Sequence, residues 1–137
     1  MAKTVEAIYK GDLRTVATHL QSGTELYMDA PTDNHGKGGS FSPTDLVATA
    51  LGGCMATIMG ISAQKHGFDI EGTRVEITKV MAENPRRIAE IRVEFFFPGD
   101  YDDKIKRIIE LAGKQCPVGH SLHPDLFQNV IYHYNKE

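Results

Sequence analysis

The chain has 137 residues, 41% of them hydrophobic and 24% charged, the composition and length of one ordinary globular domain, and a single domain over residues 1–137 is expected. Fifteen basic against 18 acidic residues leave a formal net charge of -3, so no chain-wide positive field exists to gather nucleic acid or anionic lipid. Small molecules or proteins are the expected partners. The first residues, Met1-Ala2-Lys3-Thr4-Val5-Glu6-Ala7, carry neither the apolar run of a secretory signal nor the Arg-rich character of a transit peptide, which predicts a cytoplasmic location.

In chain order, Val5, Ala7 and Tyr9 alternate with polar neighbours, and Thr18–Leu20 leads through Gln21-Ser22-Gly23 into Glu25-Leu26-Tyr27-Met28. This period-2 pattern with turn residues between predicts two or three antiparallel strands before residue 30. Asp29 to Ser40, rich in Gly, Pro, Asp and Asn, predicts a mobile loop near a functional site, with the reading of a plain surface loop standing beside that of a lid. Ser42-Pro43-Thr44-Asp45 is a helix start: Ser42 as cap, Pro43 where a missing N–H costs nothing, Asp45 answering the cap three residues on. From Leu46 to Ala63 no residue is charged, which predicts a helix buried on every side. A membrane span is set aside because the segment is rich in Ala, Gly, Thr and Ser and lacks aromatic belts and basic flanks. Gly52, Ala56 and Gly60 recur every fourth residue, a flat stripe that fits either a tight helix–helix contact or simple core crowding.

Arg74–Val80 and Ile91–Phe97 alternate as strands of a hairpin joined through Asn84-Pro85-Arg86-Arg87. Ile105, Ile108, Ile109, Ala112 and Cys116 then fall at helical spacing, with Asp100 as cap and Pro117 as stop, which puts Cys116 at a helix C-terminus. Pro124-Asp125-Leu126-Phe127 reads as a turn before a last strand over Val130–Tyr134. Phe95, Phe96 and Phe97 lack interleaved basic residues and read as strand core rather than an RNA-binding sheet. No phosphate-binding glycine loop and no nucleophile elbow are present.

Cys54 and Cys116 are the two cysteines. Cys54 lies on a helix face with Val47, Ala50, Leu51, Ile58 and Ile61, so its thiol points into apolar surroundings, where an inert buried thiol is the ordinary outcome. To react it needs a cation, because only the thiolate attacks. Mid-helix placement removes the helix dipole as a source, and Arg14 is the only basic residue between Lys10 and Lys37. Cys116, His120 and His123 have a C-x3-H-x2-H spacing, but a zinc site would need a fourth ligand and no second Cys/His cluster exists in sequence. Solvated or locally hydrogen-bonded histidines are expected, and no metal. His19, His35, His66 and His133 are scattered and carry no assignment.

The run Phe41-Ser42-Pro43-Thr44-Asp45-Leu46-Val47-Ala48-Thr49-Ala50-Leu51-Gly52-Gly53-Cys54-Met55, with Cys116-Pro117-Val118 and Ser121-Leu122 far downstream, closely resembles the OsmC/Ohr family of osmotically inducible and organic hydroperoxide resistance proteins. The likeness runs from about Tyr9 to His133. It implies an α+β OsmC-like fold in an intertwined homodimer, the central helix buried at the interface. It also implies a thiol peroxidase without a bound cofactor, in which Cys54 is peroxidatic and Cys116 resolving. An organic hydroperoxide would leave as its alcohol, Cys54 sulfenic acid would condense with Cys116 to a disulfide, and an external dithiol, a lipoylated protein in some members, would reopen it.

In such members an arginine holds the thiolate and a glutamate directly after the helix-starting proline orients it; Arg14 is the match for the arginine. Here that position is Thr44 and the first carboxylate is Asp45, one residue on and about 100° around the helix. Either Thr44 or Asp45 compensates, or the orienting group has gone. The rival readings are a redox-sensing or apolar-ligand-binding module that does not turn over, and a structural protein with two inert thiols.

Overall fold

The computed structural model describes residues 2–134. The chain falls into two compact units, one up to Val47 and one from Ala48 onward.

The first unit is an antiparallel sheet of three strands in the order β1 (Val5–Gly11), β2 (Arg14–His19), β3 (Glu25–Asp29). The β1–β2 connection is two residues, Asp12 and Leu13, both at positive φ (53° and 63°). Such a turn matches the right-handed twist of the flanking strands, and it fixes Arg14 as the first residue of β2. Between β2 and β3 the register runs from Thr18 opposite Glu25 to Arg14 opposite Asp29. The segment after β3 is tied to itself rather than loose. It holds a 3-10 turn at Thr32–Asn34, Gly36 N–H donates to Pro31 O (2.9 Å) and Ser40 Oγ donates to Tyr27 O (2.9 Å). The expected mobile loop is therefore a folded, hydrogen-bonded segment.

The helix start stands as the sequence predicts. Asp45 N–H donates to Ser42 Oγ (3.0 Å) and Ser42 N–H donates to Asp45 Oδ2 (2.9 Å), a reciprocal cap that satisfies two otherwise orphaned donors. From it α1 (Pro43–His66) runs on into the second unit.

In the second unit, β4 (Arg74–Ala82), β5 (Arg87–Phe97) and β6 (Phe127–Tyr134) form a sheet in that order, β4–β5 antiparallel and β5–β6 parallel. The parallel pairing needs a crossover, and α2 (Asp103–Gly113) with the short α3 (Pro117–Ser121) supplies it. Asp102 caps α2, accepting from Ile105 N–H (2.9 Å), two residues later than the cap the sequence favours. Alternation puts Ile91, Val93, Phe95 and Phe97 of β5 inward, fully or almost fully buried, against Leu51, Met55 and Met59 of α1 and Ile109 of α2. Phe95 stacks with Tyr132 (5.8 Å) and Phe97 with Tyr134 (5.1 Å), the pairs that the parallel register sets side by side. Phe96 points to the other face, stacked on His133 (4.4 Å) beneath the Arg74 guanidinium (4.3 Å).

Within the single chain, α1 covers less of its surface than its uncharged sequence predicts. The helix is long and apolar enough to cross a membrane, yet it is not buried all round: Ala48, Leu51, Gly52, Met55, Met59 and Ala63 form one buried face, while Val47, Ala50, Gly53, Thr57 and Ile61 lie exposed. The small-residue stripe divides as well. A Cβ at Gly52 would come within 2.6 Å of Ile77 Cδ1, so this glycine admits β4 rather than a second helix. Gly60 has nothing within 4 Å.

Candidate active site

Cys54 stands where the two faces of α1 meet. It is partly buried, packed against the core beside Leu51 and Ile58, while its predicted companions Ala50, Val47 and Ile61 are exposed. The residues named as its apolar face thus split into a core half and an open half. The reason lies in helix geometry, since positions three and four residues away diverge to either side of the same stripe.

Cys116 is buried, 2% exposed, and comes to Cys54 from the far end of the fold. Its backbone does not end α2, which stops at Gly113; Pro117 starts α3, and Cys116 is that helix's N-terminal cap. Gly119 N–H donates to Cys116 Sγ (3.4 Å), Cys116 Sγ donates to Leu51 O (4.0 Å), and Cys54 lies close enough to act on the Cys116 thiol. Burial first, and the Cys54 contact second, push the Cys116 thiol upward, while the Gly119 N–H pulls the other way. Cys116 is therefore protonated at neutral pH. Both cysteines are free thiols.

Beside them lies a cavity of about 410 Å³ whose walls include Met55, Lys114, Cys116, Gln128, Val130 and Tyr132. Burial, with Glu110 second, pushes the Tyr132 phenol up to about 12, so it faces the cavity un-ionised. Gln128 Nε2 donates to Gly119 O (2.8 Å) and pins the turn that carries Cys116.

Arg14 lies in the first unit, and its carboxylate partner comes from a residue that spacing arguments passed over. Arg14 Nε donates to Asp29 Oδ1 (2.8 Å) and Nη2 to Asp29 Oδ2 (3.0 Å), a two-pronged pair on directly opposed residues of β2 and β3. Gly39 N–H is a third donor to the carboxylate, at Asp29 Oδ2 (3.0 Å), and a Cβ at Gly39 would stand 2.7 Å from that oxygen, so only glycine fits. The Arg14 side-chain hydrogen bond holds the Asp29 carboxyl below its ordinary value, with Gly39 helping. A signal was available: counting outward from a four-residue Leu20–Gly23 turn, one residue for one from His19 against Thr24, sets Arg14 against Asp29. Neither Thr44 nor Asp45 is needed for this. Asp45 serves the helix cap, and Thr44 Oγ1 lies 3.1 Å from Ser42 Oγ.

His120 Nε2 lies 2.9 Å from Lys114 O, and His123 Nδ1 accepts from Asp125 N–H (3.0 Å), so both imidazoles are engaged locally. Among the described residues no group of three or more His, Cys, Asp or Glu side chains is arranged to hold a metal ion.

Two sheets, a capped central helix and two facing thiols define an α+β protein of the OsmC type. The family model described as OsmC-like protein matches residues 36–127, and the chain belongs to that family. A crystal structure from Psychrobacter arcticus 273-4, described as a candidate osmotic stress induced and detoxification response protein, is 51% identical, with 97% of each chain covered and a TM-score of 0.94. An OsmC-like protein from Mycoplasma pneumoniae (20% identity, 98% and 99% covered, TM-score 0.78) shares the fold. So does an organic hydroperoxide resistance protein OsmC from Legionella pneumophila (16%, 97% and 98%, TM-score 0.68). No significant match was found among curated proteins. The family thus includes members named for stress response and hydroperoxide resistance.

Proposed function

We propose that this chain is a cysteine-based peroxidase that reduces organic hydroperoxides to alcohols in oxidative stress defence. The observation that carries the reading is the proximity of two free thiols, Cys54 partly buried and Cys116 buried and protonated. In the cycle, Cys54 thiolate attacks the distal oxygen of the hydroperoxide and the O–O bond breaks. The alkoxide takes a proton and leaves as the alcohol, and Cys54 becomes a sulfenic acid. Cys116 sulfur then attacks Cys54 sulfur; the hydroxyl leaves with the Cys116 proton as water and a disulfide forms. No bound cofactor is required, and an external dithiol, such as a lipoylated protein, restores both thiols. The apolar surroundings of Cys54 favour an alkyl hydroperoxide over hydrogen peroxide.

Arg14 is assigned to stabilise the Cys54 thiolate, with Asp29 as the carboxylate that orients it, in place of the glutamate the family carries after the helix-starting proline. The working unit is proposed to be a cytoplasmic homodimer. Support comes from the exposed side of α1, with Val47, Gly53, Thr57 and Ile61, and from Val5, Ile8, Tyr9 and Leu26 exposed on the first sheet.

The test is a count of free thiols after one equivalent of cumene hydroperoxide, and separately of hydrogen peroxide, is added to reduced protein at neutral pH. Rapid loss of both thiols with the organic oxidant is expected. Retention of both over minutes would sink the peroxidase and leave a redox-sensing or ligand-binding role.

A further inference from the structure

The cavity described above has a wall in common with only one of the two sulfurs. Cys116 lines it and Cys54 does not. A molecule seated there meets Cys116, so its chemistry is the chemistry of Cys116. In the proposed cycle Cys116 has two tasks. Attack on the sulfenic acid of Cys54 involves no third molecule, which leaves reopening of the disulfide as the step that needs an entrant.

We propose that this cavity is the entry site of the dithiol reductant, which attacks Cys116 sulfur and expels Cys54; the proposal rests on the disulfide cycle stated above. One reductant thiolate bonds to Cys116 sulfur, the Cys54–Cys116 bond breaks, and Cys54 departs as thiolate. The second reductant thiol then attacks the reductant's own bridging sulfur and releases Cys116, so two electrons and two protons pass to the protein and the reductant leaves as a cyclic disulfide.

The walls suit such a visitor. Met55, Val130 and Tyr132 offer apolar surface to a short alkyl chain, and about 410 Å³ is within the range of small-ligand pockets. Lys114 is among the lining residues, and a cationic side chain at the cavity favours an arriving thiolate. The direction of cleavage follows from the leaving groups. Burial disfavours Cys116 as a departing thiolate, and Cys116 is the half of the disulfide that borders the cavity, so it is the sulfur attacked rather than the one released.

The test maps the attacked sulfur in the full chain. The disulfide is closed in two ways, with cumene hydroperoxide and with diamide, then exposed briefly to 2-mercaptoethanol and quenched with N-ethylmaleimide. Peptide mass spectrometry is expected to find the mercaptoethanol adduct on Cys116 and maleimide on Cys54. The reverse pattern, or equal adducts, would overturn the proposal. Closure by diamide alone would defeat the peroxidase reading while the site of attack is still measured, and closure by neither would overturn both.

A second measurement compares reduction of the closed disulfide by dihydrolipoate, which carries a carboxylate, and by neutral dithiothreitol. Lys114→Glu is expected to lower the ratio of the two rates about tenfold, as charge reversal at an approach route does. An unchanged ratio would place the entry elsewhere.

Discussion

Asp29 is the residue whose role turns on a single geometric fact, its position opposite Arg14. Replacing it by Asn keeps the size and removes the charge that fixes both guanidinium edges. Asp29→Asn is expected to slow disulfide formation with cumene hydroperoxide about tenfold to a hundredfold, the scale on which small misplacements of a catalytic group act; stopped-flow thiol counting reads it. A rate equal to wild type would remove Arg14 and Asp29 from the proposed chemistry. The same pair predicts a pH response. Because the folded carboxyl titrates below its ordinary 3.8, its contribution to stability is present above that value and lost as pH falls through the lower folded value. The melting-temperature gap between wild type and Asp29→Asn should therefore close as pH drops below about 4. At the thiols, Cys54→Ser should abolish peroxide-driven thiol loss altogether, whereas Cys116→Ser should lose one thiol, with the sulfenic acid of Cys54 trapped by dimedone. Loss of no thiol in Cys116→Ser would mean that Cys54 is not the attacking sulfur.

At the scale of the element, α1 is set by its two ends and by one glycine. Ser42 is almost fully buried (1% exposed) and closes the N-terminus through its exchange with Asp45. Ser42→Ala is expected to cost about 1 kcal/mol of unfolding free energy in urea titration, the usual worth of such a cap. Gly52 is different in kind, because its missing Cβ makes room for Ile77 and Val75 of β4. Gly52→Ala would gain about 1 kcal/mol of helix preference but lose about 1–3 kcal/mol to overpacking, a net loss. The paired control is Gly60→Ala, whose Cβ meets nothing within 4 Å. Equal stability for the two variants would mean that β4 does not press on α1 as described. The hydroxyl and the glycine thus hold the helix that carries Cys54, one from its end and the other from its side.

For the whole molecule, the proposed homodimer is tested at the exposed side of α1. Ile61 is 56% exposed and Val47 36%, on a helix whose opposite face is core. Ile61→Asp places a charge in the middle of the proposed dimer contact and is expected to yield a monomer by sedimentation velocity at micromolar concentration, with wild type sedimenting as a dimer. A monomeric wild type would withdraw the homodimer. Should the dimer be required for Cys54 chemistry, the same variant will also lose hydroperoxide reactivity while its far-UV circular dichroism stays native. The cores of β4–β6, α1 and α2 lie within the second unit, so the variant tests association without emptying a packed interior.

Local rules carried the sequence reading a long way. Alternation placed the strands, Ser42, Pro43 and Asp45 placed the start of α1 to the residue, and the run around Cys54 with Cys116-Pro117 gave the family, because each of these signals lies within a few neighbouring residues. What failed were statements about which surface covers which. An uncharged helix reads as buried on all sides, yet composition cannot say whether its second face meets this chain or another. The glycine stripe could not name its partner, which proved to be β4 at Gly52 and open space at Gly60. Pro117 marks a boundary in either direction, and only the chain path decides that it begins α3 and makes Cys116 a cap. Sequence spacing points to Thr44 or Asp45 as the group that orients Arg14, whereas strand register delivers a carboxylate from Asp29. Sequence determined the elements and singled out Cys54 and Cys116 as the thiols proposed to react, since those depend on short-range pattern. Tertiary structure alone decided their partners, because a contact between distant residues depends on register and packing that no local window contains.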